Sequence, residues 1–178
     1  AGEHLVRVAA VLWIKNFSQR AHRVEVVRRE LLGHEIHLLH ADAVLVAEDG
    51  QRLRLGRRTF EFVDAPGHAR HHHCPVDLDH REVYSGDNFG ICYREFDTAR
   101  GPFVLPTTTP VQFDPDAMHA TIDRILSYQP PRIYQTHFGP VYDLDRLARD
   151  LHADLDVLVA MGLRHRDASD RTQRIQYD

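Results

Sequence analysis

Three short strings in this sequence close apolar runs with a side chain able to bind a metal ion. They are Asp64-Ala65-Pro66-Gly67-His68, Tyr84-Ser85-Gly86-Asp87 and Tyr134-Gln135-Thr136-His137-Phe138-Gly139. A short apolar run bounded by glycine reads as a buried strand followed by a turn, so His68, Asp87 and His137 are expected at strand ends. In α/β folds the strand ends along one sheet edge are where ligands bind. Imidazole and carboxylate suit zinc, manganese or iron, and two histidines with one aspartate make a partial ligand set for any of them. The plainer reading of each residue is a structural hydrogen bond at a strand end.

The remaining histidines carry less. His71, His72, His73 and Cys74 look like a cluster on paper, but neighbours along a strand point to opposite faces, so only His71 and His73 can share an ion. Hydrogen bonding or packing beside the site is the expected role there. His34, His37 and His40 recur every third residue and fit one helical face loosely, as polar surface positions do. His4, His22, His80, His119, His152 and His165 sit among charged or helical neighbours and are read as surface residues.

The order Pro66-Gly67-His68, Ser85-Gly86-Asp87, Thr136-His137-Phe138-Gly139 resembles the later motifs of the metallo-β-lactamase-fold hydrolase superfamily, which includes glyoxalase II-like thioesterases, lactonases and β-lactamases. The likeness runs from about Asp49 to about Val141. Within it, Tyr93-Arg94-Glu95-Phe96-Asp97 and Pro106-Thr107-Thr108-Thr109-Pro110 are similar to one bacterial subgroup. The resemblance implies an α/β architecture, the C-terminal part of an αββα four-layer sandwich. It further implies that His68 is the third ligand of a first metal, that Asp87 bridges two metals and that His137 binds the second. The implied cofactor is zinc, as one or two divalent metals, with iron or manganese as substitutes. The implied reaction is hydrolysis of an ester, thioester, lactone or lactam by a metal-bound hydroxide, for which Asp87 serves as the catalytic carboxylate. Two cations ~3.5–4 Å apart bring a bridging water's pKa toward ~7 and stabilise the oxyanion that attack creates. Tyr93 and Arg94 are the candidates for shaping the pocket of a small-molecule substrate.

The superfamily also uses an upstream His-x-His-x-Asp-His string that supplies four further ligands, and this sequence contains none. The nearest run, His34 to His40, has Leu39 where an aspartate is needed and lies too close to His68 to admit a strand, a helix and a strand. The chain therefore reads as a single metallo-β-lactamase-like domain over 1–178, the C-terminal part of such a hydrolase with its first half absent.

Composition is that of a folded domain: 178 residues, 43% hydrophobic and 27% charged, enough to bury a core. A net charge of −4 gives no electrostatic footprint for nucleic acid or an anionic membrane, so neither is an expected partner. Cys74 and Cys92 are too few and too distant for a disulfide framework, and each reads as a small buried hydrophobe. With no apolar stretch near ~18 residues and no signal-peptide pattern at the start, the expected location is cytoplasmic.

The elements that must position these residues follow from the pattern. Residues 1–32, the least family-like stretch, suggest two helices stopped by Gly33. From Ala43 the period changes to two, and short strands are expected at 43–47, 52–55, 59–63, 73–76 and 82–85. A Thr- and Pro-rich loop from Phe96 to Gln112 has no periodicity, which in a folded domain marks a functional or mobile segment. Asp114 N-caps a helix with Pro115 at its first position and an apolar stripe at Met118, Ile122, Ile125 and Leu126. Pro130-Pro131 stops it, Arg132 to Gln135 is a short strand, and Leu144, Leu147, Leu151, Leu155 and Leu158 mark a last helix. The tail 166–178 is polar enough to fray.

Three functions remain open on this reading: part of a working metallo-hydrolase, a catalytically inactive metal-binding or interaction protein, or a hydrolase using Cys92 or Ser85 as nucleophile, for which no nucleophile elbow is present. Half a sandwich also exposes one sheet face, expected to include Phe60, Phe62, Val83 and Ile133. This predicts self-association into a homo-oligomer, or cover by residues 1–32.

Overall fold

Alternating apolar residues over 51–86 build four antiparallel strands. They are β1 (Gln51–Leu55), β2 (Arg58–Asp64), β3 (His73–Asp77) and β4 (Glu82–Gly86). A computed structural model describes residues 47–178, in which Asp49–Asp178 form one unit. The helices expected within 1–32, the strand expected from Ala43, and His34, His37 and His40 lie outside the described residues. After β4 the chain crosses through the long loop and α1 (Pro115–Ser127) to β5 (Ile133–Gln135), which pairs parallel with β4. A strand absent from the sequence reading, β6 (Pro140–Val141), then pairs antiparallel with β5 and completes a mixed sheet in the order β1 to β6. The last helices are α2 (Leu144–Arg164) and α3 (Arg171–Tyr177). Among the described residues, no helix is long and apolar enough to cross a membrane.

Both long helices cover one face of this sheet. Met118, Ile122 and Ile125 of α1 and Leu147, Leu151 and Leu155 of α2 share a core with Val63, Cys74, Val76, Val83 and Ile133. Each fully buried Leu or Ile side chain contributes roughly 1.5–3 kcal/mol through the water it leaves. Asp114 caps α1 as its type predicts, its side chain accepting from the Ala117 amide at 3.1 Å. Val83 and Ile133, expected on the same face as Phe60 and Phe62, prove to lie on the helix-covered side. The register explains it: Val76 pairs with Val83 and Val83 with Ile133, whereas Phe60 pairs with Asp77 and Asp77 with Glu82, one residue out of phase. The opposite face carries Phe60, Tyr84 and Tyr134, the two tyrosines stacked at 5.0 Å. The C-terminal tail, expected to fray, forms α3 instead. Nothing in α3 is buried, and it is secured locally by the Arg174–Asp170 pair and by Asp178 against Arg164 and His165.

Strand direction sets up the site. β3 runs antiparallel to both β2 and β4, and β5 is parallel to β4, so β2, β4 and β5 point the same way. Their C-terminal ends share one sheet edge.

Candidate metal centre

His68, Asp87 and His137 each follow one of those three ends, by way of the turns after Asp64, Gly86 and Gln135. Nε2 of His68 lies 3.3 Å from Oδ2 of Asp87, and Nε2 of His137 lies 3.9 Å from Oδ1 of the same carboxylate. The structure thus brings all three together, with each imidazole addressing a different oxygen of one aspartate.

The orientation of His68 is held from behind. Its Nδ1 donates to the Thr107 carbonyl at 3.1 Å, which turns the Nε2 lone pair toward Asp87. Metal-binding histidines are held in this way, with the remote ring N–H on a carbonyl or carboxylate. The Thr107 hydroxyl donates to the backbone carbonyl of Asp87 at 2.5 Å. One residue of the Thr/Pro-rich loop therefore positions two of the three candidate ligands, and that is the loop's role at this edge.

Asn88 is the residue sequence reasoning missed. Fully buried, it accepts the His68 amide at 3.1 Å and donates to the Ala65 carbonyl and to Nδ1 of His72, each at 2.8 Å. It pins the His68 loop to the Asp87 turn. Its place directly after Ser85-Gly86-Asp87 was the one available signal. Within the histidine run, His72 is the member nearest the site, edge-on to His68 at 6.0 Å between ring centres, while Nδ1 of His73 contacts the His71 carbonyl.

Burial holds the His72 imidazole neutral, its pKa pushed down to about 4, with His68 as the second cause. The unfolded chain takes up that proton near pH 6.5, so protons favour unfolding once pH drops below this value. Stability is therefore expected to fall as pH is lowered from about 6.5 toward about 4, by roughly 1.4 kcal/mol per pH step of one across that window. Denaturant midpoints over the same range check it, and a His72→Gln chain should show a flatter profile.

Tyr93 and Arg94, read as pocket residues, reach the centre through the turn that bears His137. The Arg94 guanidinium donates to the carbonyls of Phe138 and Pro140 at 3.4 and 3.1 Å, and the Tyr93 ring packs on Phe138 at 5.2 Å. A cleft of about 330 Å³ between the 96–104 loop and α2, lined by Phe96, Phe103, Val104 and Arg146, includes none of the three candidate ligands. Neither candidate nucleophile is set up to attack. The Ser85 hydroxyl donates to the Gly86 and Tyr134 carbonyls, and burial pushes the Cys92 thiol upward.

Among the described residues, no three His, Cys, Asp or Glu side chains are grouped tightly enough to hold one ion between them. The distances show why: His68 and His137 sit on opposite oxygens of Asp87. Oδ1 of Asp87 is buried without a hydrogen-bond partner. A buried carboxylate oxygen left unpaired costs folding free energy, which a cation bound beside it would offset. The donor set fits a divalent metal.

No protein-family model and no curated protein matches the chain. Solved structures do. The metallo-β-lactamase family protein TTHA1429 from Thermus thermophilus superposes with a TM-score of 0.53 at 19% identity, over 68% of this chain and 38% of that one. The chain has the metallo-β-lactamase fold. ST1585 from Sulfolobus tokodaii, an archaeal metallo-β-lactamase superfamily protein, matches at 25% identity and a TM-score of 0.49, over 71% of this chain and 44% of its own. TTHA1623, solved in a di-iron-bound form, matches at 28% identity and 0.42, over 67% and 52%. The chain thus spans about two fifths of the length of the first two metallo-β-lactamase-fold proteins.

Proposed function

We propose that His68, Asp87 and His137 are metal ligands of a hydrolase centre of the metallo-β-lactamase kind, acting on an ester, thioester, lactone or lactam of a small molecule. The observation that carries this reading is the unpaired, buried Oδ1 of Asp87 facing His137 while Oδ2 faces His68. Bound divalent metal, zinc or iron, supplies Lewis acidity and an activated water. The chain's own residues supply position: Thr107 holds His68 in the tautomer that offers Nε2, Asn88 ties the two ligand-bearing turns together, and Arg94 braces the third. A row of rings, Phe103, Phe96, Tyr93 and Phe138, leads away from His137 along the surface, with Phe138 and Phe96 about half exposed. It suits the apolar portion of such a substrate. Cys74 and Cys92 are free and buried, which fits a reducing compartment such as the cytoplasm.

A second reading, metal binding without turnover, is favoured by one observation: the sequence holds no His-x-His-x-Asp-His string, so four ligands of the superfamily pattern are not supplied within it. For this chain alone we expect at most one weakly held metal at the centre and little turnover. Metal content after dialysis against zinc, compared between wild type and His68→Ala, His137→Ala and Asp87→Ala, tests the ligand assignment. Zinc retention unchanged in all three variants overturns it. Thioester and lactone hydrolysis measured on the same samples separates the two readings, since robust turnover lost in Asp87→Ala excludes the inactive one.

A further inference from the structure

A cluster of two histidines and two aspartates lies where α1 meets α2, built from histidines expected at the surface. His119 and Asp123 stand one turn apart on α1, and His152 and Asp156 stand one turn apart on α2. The pairs cross over. Nε2 of His119 faces Oδ1 of Asp156 on the other helix at 3.3 Å, and Nε2 of His152 faces Oδ1 of Asp123 at 3.2 Å. The two imidazoles are near-parallel, 5° between planes and 4.9 Å between ring centres, yet their Nδ1 atoms are only 2.6 Å apart. Planes that close cannot be stacked face on face, so the rings meet edge to edge, Nδ1 to Nδ1.

That arrangement has a consequence for charge. A carboxylate only accepts, so Nε2 of His152 carries a proton and donates it to Asp123, while Nε2 of His119 faces Asp156 at ion-pair distance. Nδ1 of His152 is then left presenting a lone pair to Nδ1 of His119. Two ring nitrogens 2.6 Å apart are joined either by a proton or by a metal cation, and two carboxylates flank the pair with a combined charge of about −2. A single proton offsets half of that charge; a divalent metal offsets all of it.

We propose that His119 and His152 are the nitrogen ligands of a divalent transition-metal site on the α1–α2 seam, distinct from the His68–Asp87–His137 centre, taking zinc, copper or nickel. The imidazole N–H on a carboxylate is the outer support that raises ligand basicity at metal-binding histidines; the His152 ring has it in Asp123, and Asp156 stands 3.3 Å from Nε2 of His119. Paired imidazoles select late first-row metals over magnesium or calcium. Metal–nitrogen bonds of ~2.0–2.1 Å require the two Nδ1 atoms to part by under about 1 Å. Side-chain exposures of 27% and 29% leave room for that movement and for water in the remaining positions. The two histidines are 33 positions apart in sequence, on different helices, so the ion exists as a chelate only in the folded chain and stabilises it by mass action.

The test is the increment in Tm that added zinc produces over the metal-free protein, measured for the whole chain, for His119→Gln, for His152→Gln and for the double variant. Because a chelate needs both nitrogens, each single variant should lose the same part of the increment and the double variant no more. Asp123→Asn and Asp156→Asn should weaken zinc binding at the seam by about 10–100-fold without abolishing it. With 15N-labelled histidine, saturating zinc should shift the Nδ1 signals of both rings and leave both Nε2 protonated. Equal increments in wild type and all three histidine variants, additive losses in the singles, or an Nδ1–H···Nδ1 proton persisting at saturating zinc would each overturn the assignment. Because these variants leave His68, Asp87 and His137 intact, the outcome is independent of the first centre.

Discussion

Asp87→Asn is expected to move metal affinity and stability in opposite directions. In the metal-free chain the aspartate holds one oxygen buried without a partner and the other against the lone pair of His68, so an amide that can donate to His68 Nε2 removes a repulsion and gains a hydrogen bond. The gain is about 1 kcal/mol, or roughly 2–4 °C in the metal-free Tm for a domain of this size. Metal retention at the centre should fall by more than the roughly 10–100-fold that removing an outer support costs, because here a direct ligand is lost. Thermal melts in chelator together with metal analysis give both readings. An Asp87→Asn chain that melts lower than wild type without metal would show that the carboxylate is structural and that its oxygens are not strained by the site.

The second large effect is expected at Gly67. This residue sits at φ 136°, and a Cβ there would stand 2.6 Å from Cα of Met118 and 2.8 Å from its amide nitrogen. The obstacle is backbone at the start of α1, which also anchors this loop from the other side: the Asp114 amide donates to the Gly67 carbonyl at 2.8 Å and the Thr121 hydroxyl to the Pro66 carbonyl at 2.6 Å. No rotamer relieves such a contact, so either the helix start or the His68 loop has to shift. Left-handed backbone strain of roughly 1–2 kcal/mol and overpacking of about 1–3 kcal/mol together predict a loss of about 3 kcal/mol for Gly67→Ala. At roughly 2–4 °C per kcal/mol, the Tm should drop by about 10 °C, and zinc retention at the first centre should fall with it because His68 is the next residue. A Gly67→Ala chain with an unchanged melt would mean that the loop is not clamped against α1.

The sequence by itself determined the strands, the capped helix and the strand-end places of His68, Asp87 and His137. Each of these is written in local chemistry. Period-two alternation marks β1 to β4 whatever they pack against, Asp114-Pro115 starts a helix through its own backbone hydrogen bond, and glycine beside His68, Asp87 and His137 marks turns. That the three turns meet follows only once β2, β4 and β5 run in one direction, and direction depends on pairing between segments far apart in the chain. For the same reason Val83 and Ile133 fell on the helix-covered face, opposite Phe60, because a face is decided by register with a neighbouring strand and one step reverses it. β6 was illegible for its brevity, as two residues carry no period. Thr107 and Asn88 drew no attention because their value lies in what they touch: a carbonyl behind His68, an amide in front of it, a turn 20 residues away. His119 and His152 show the same limit most clearly. Each alone is an ordinary polar residue on an amphipathic helix, and only the antiparallel approach of α1 and α2 sets two imidazole nitrogens face to face between two carboxylates. Local propensity needs only neighbours in sequence, whereas ligand sets are products of long-range packing, which no local pattern encodes.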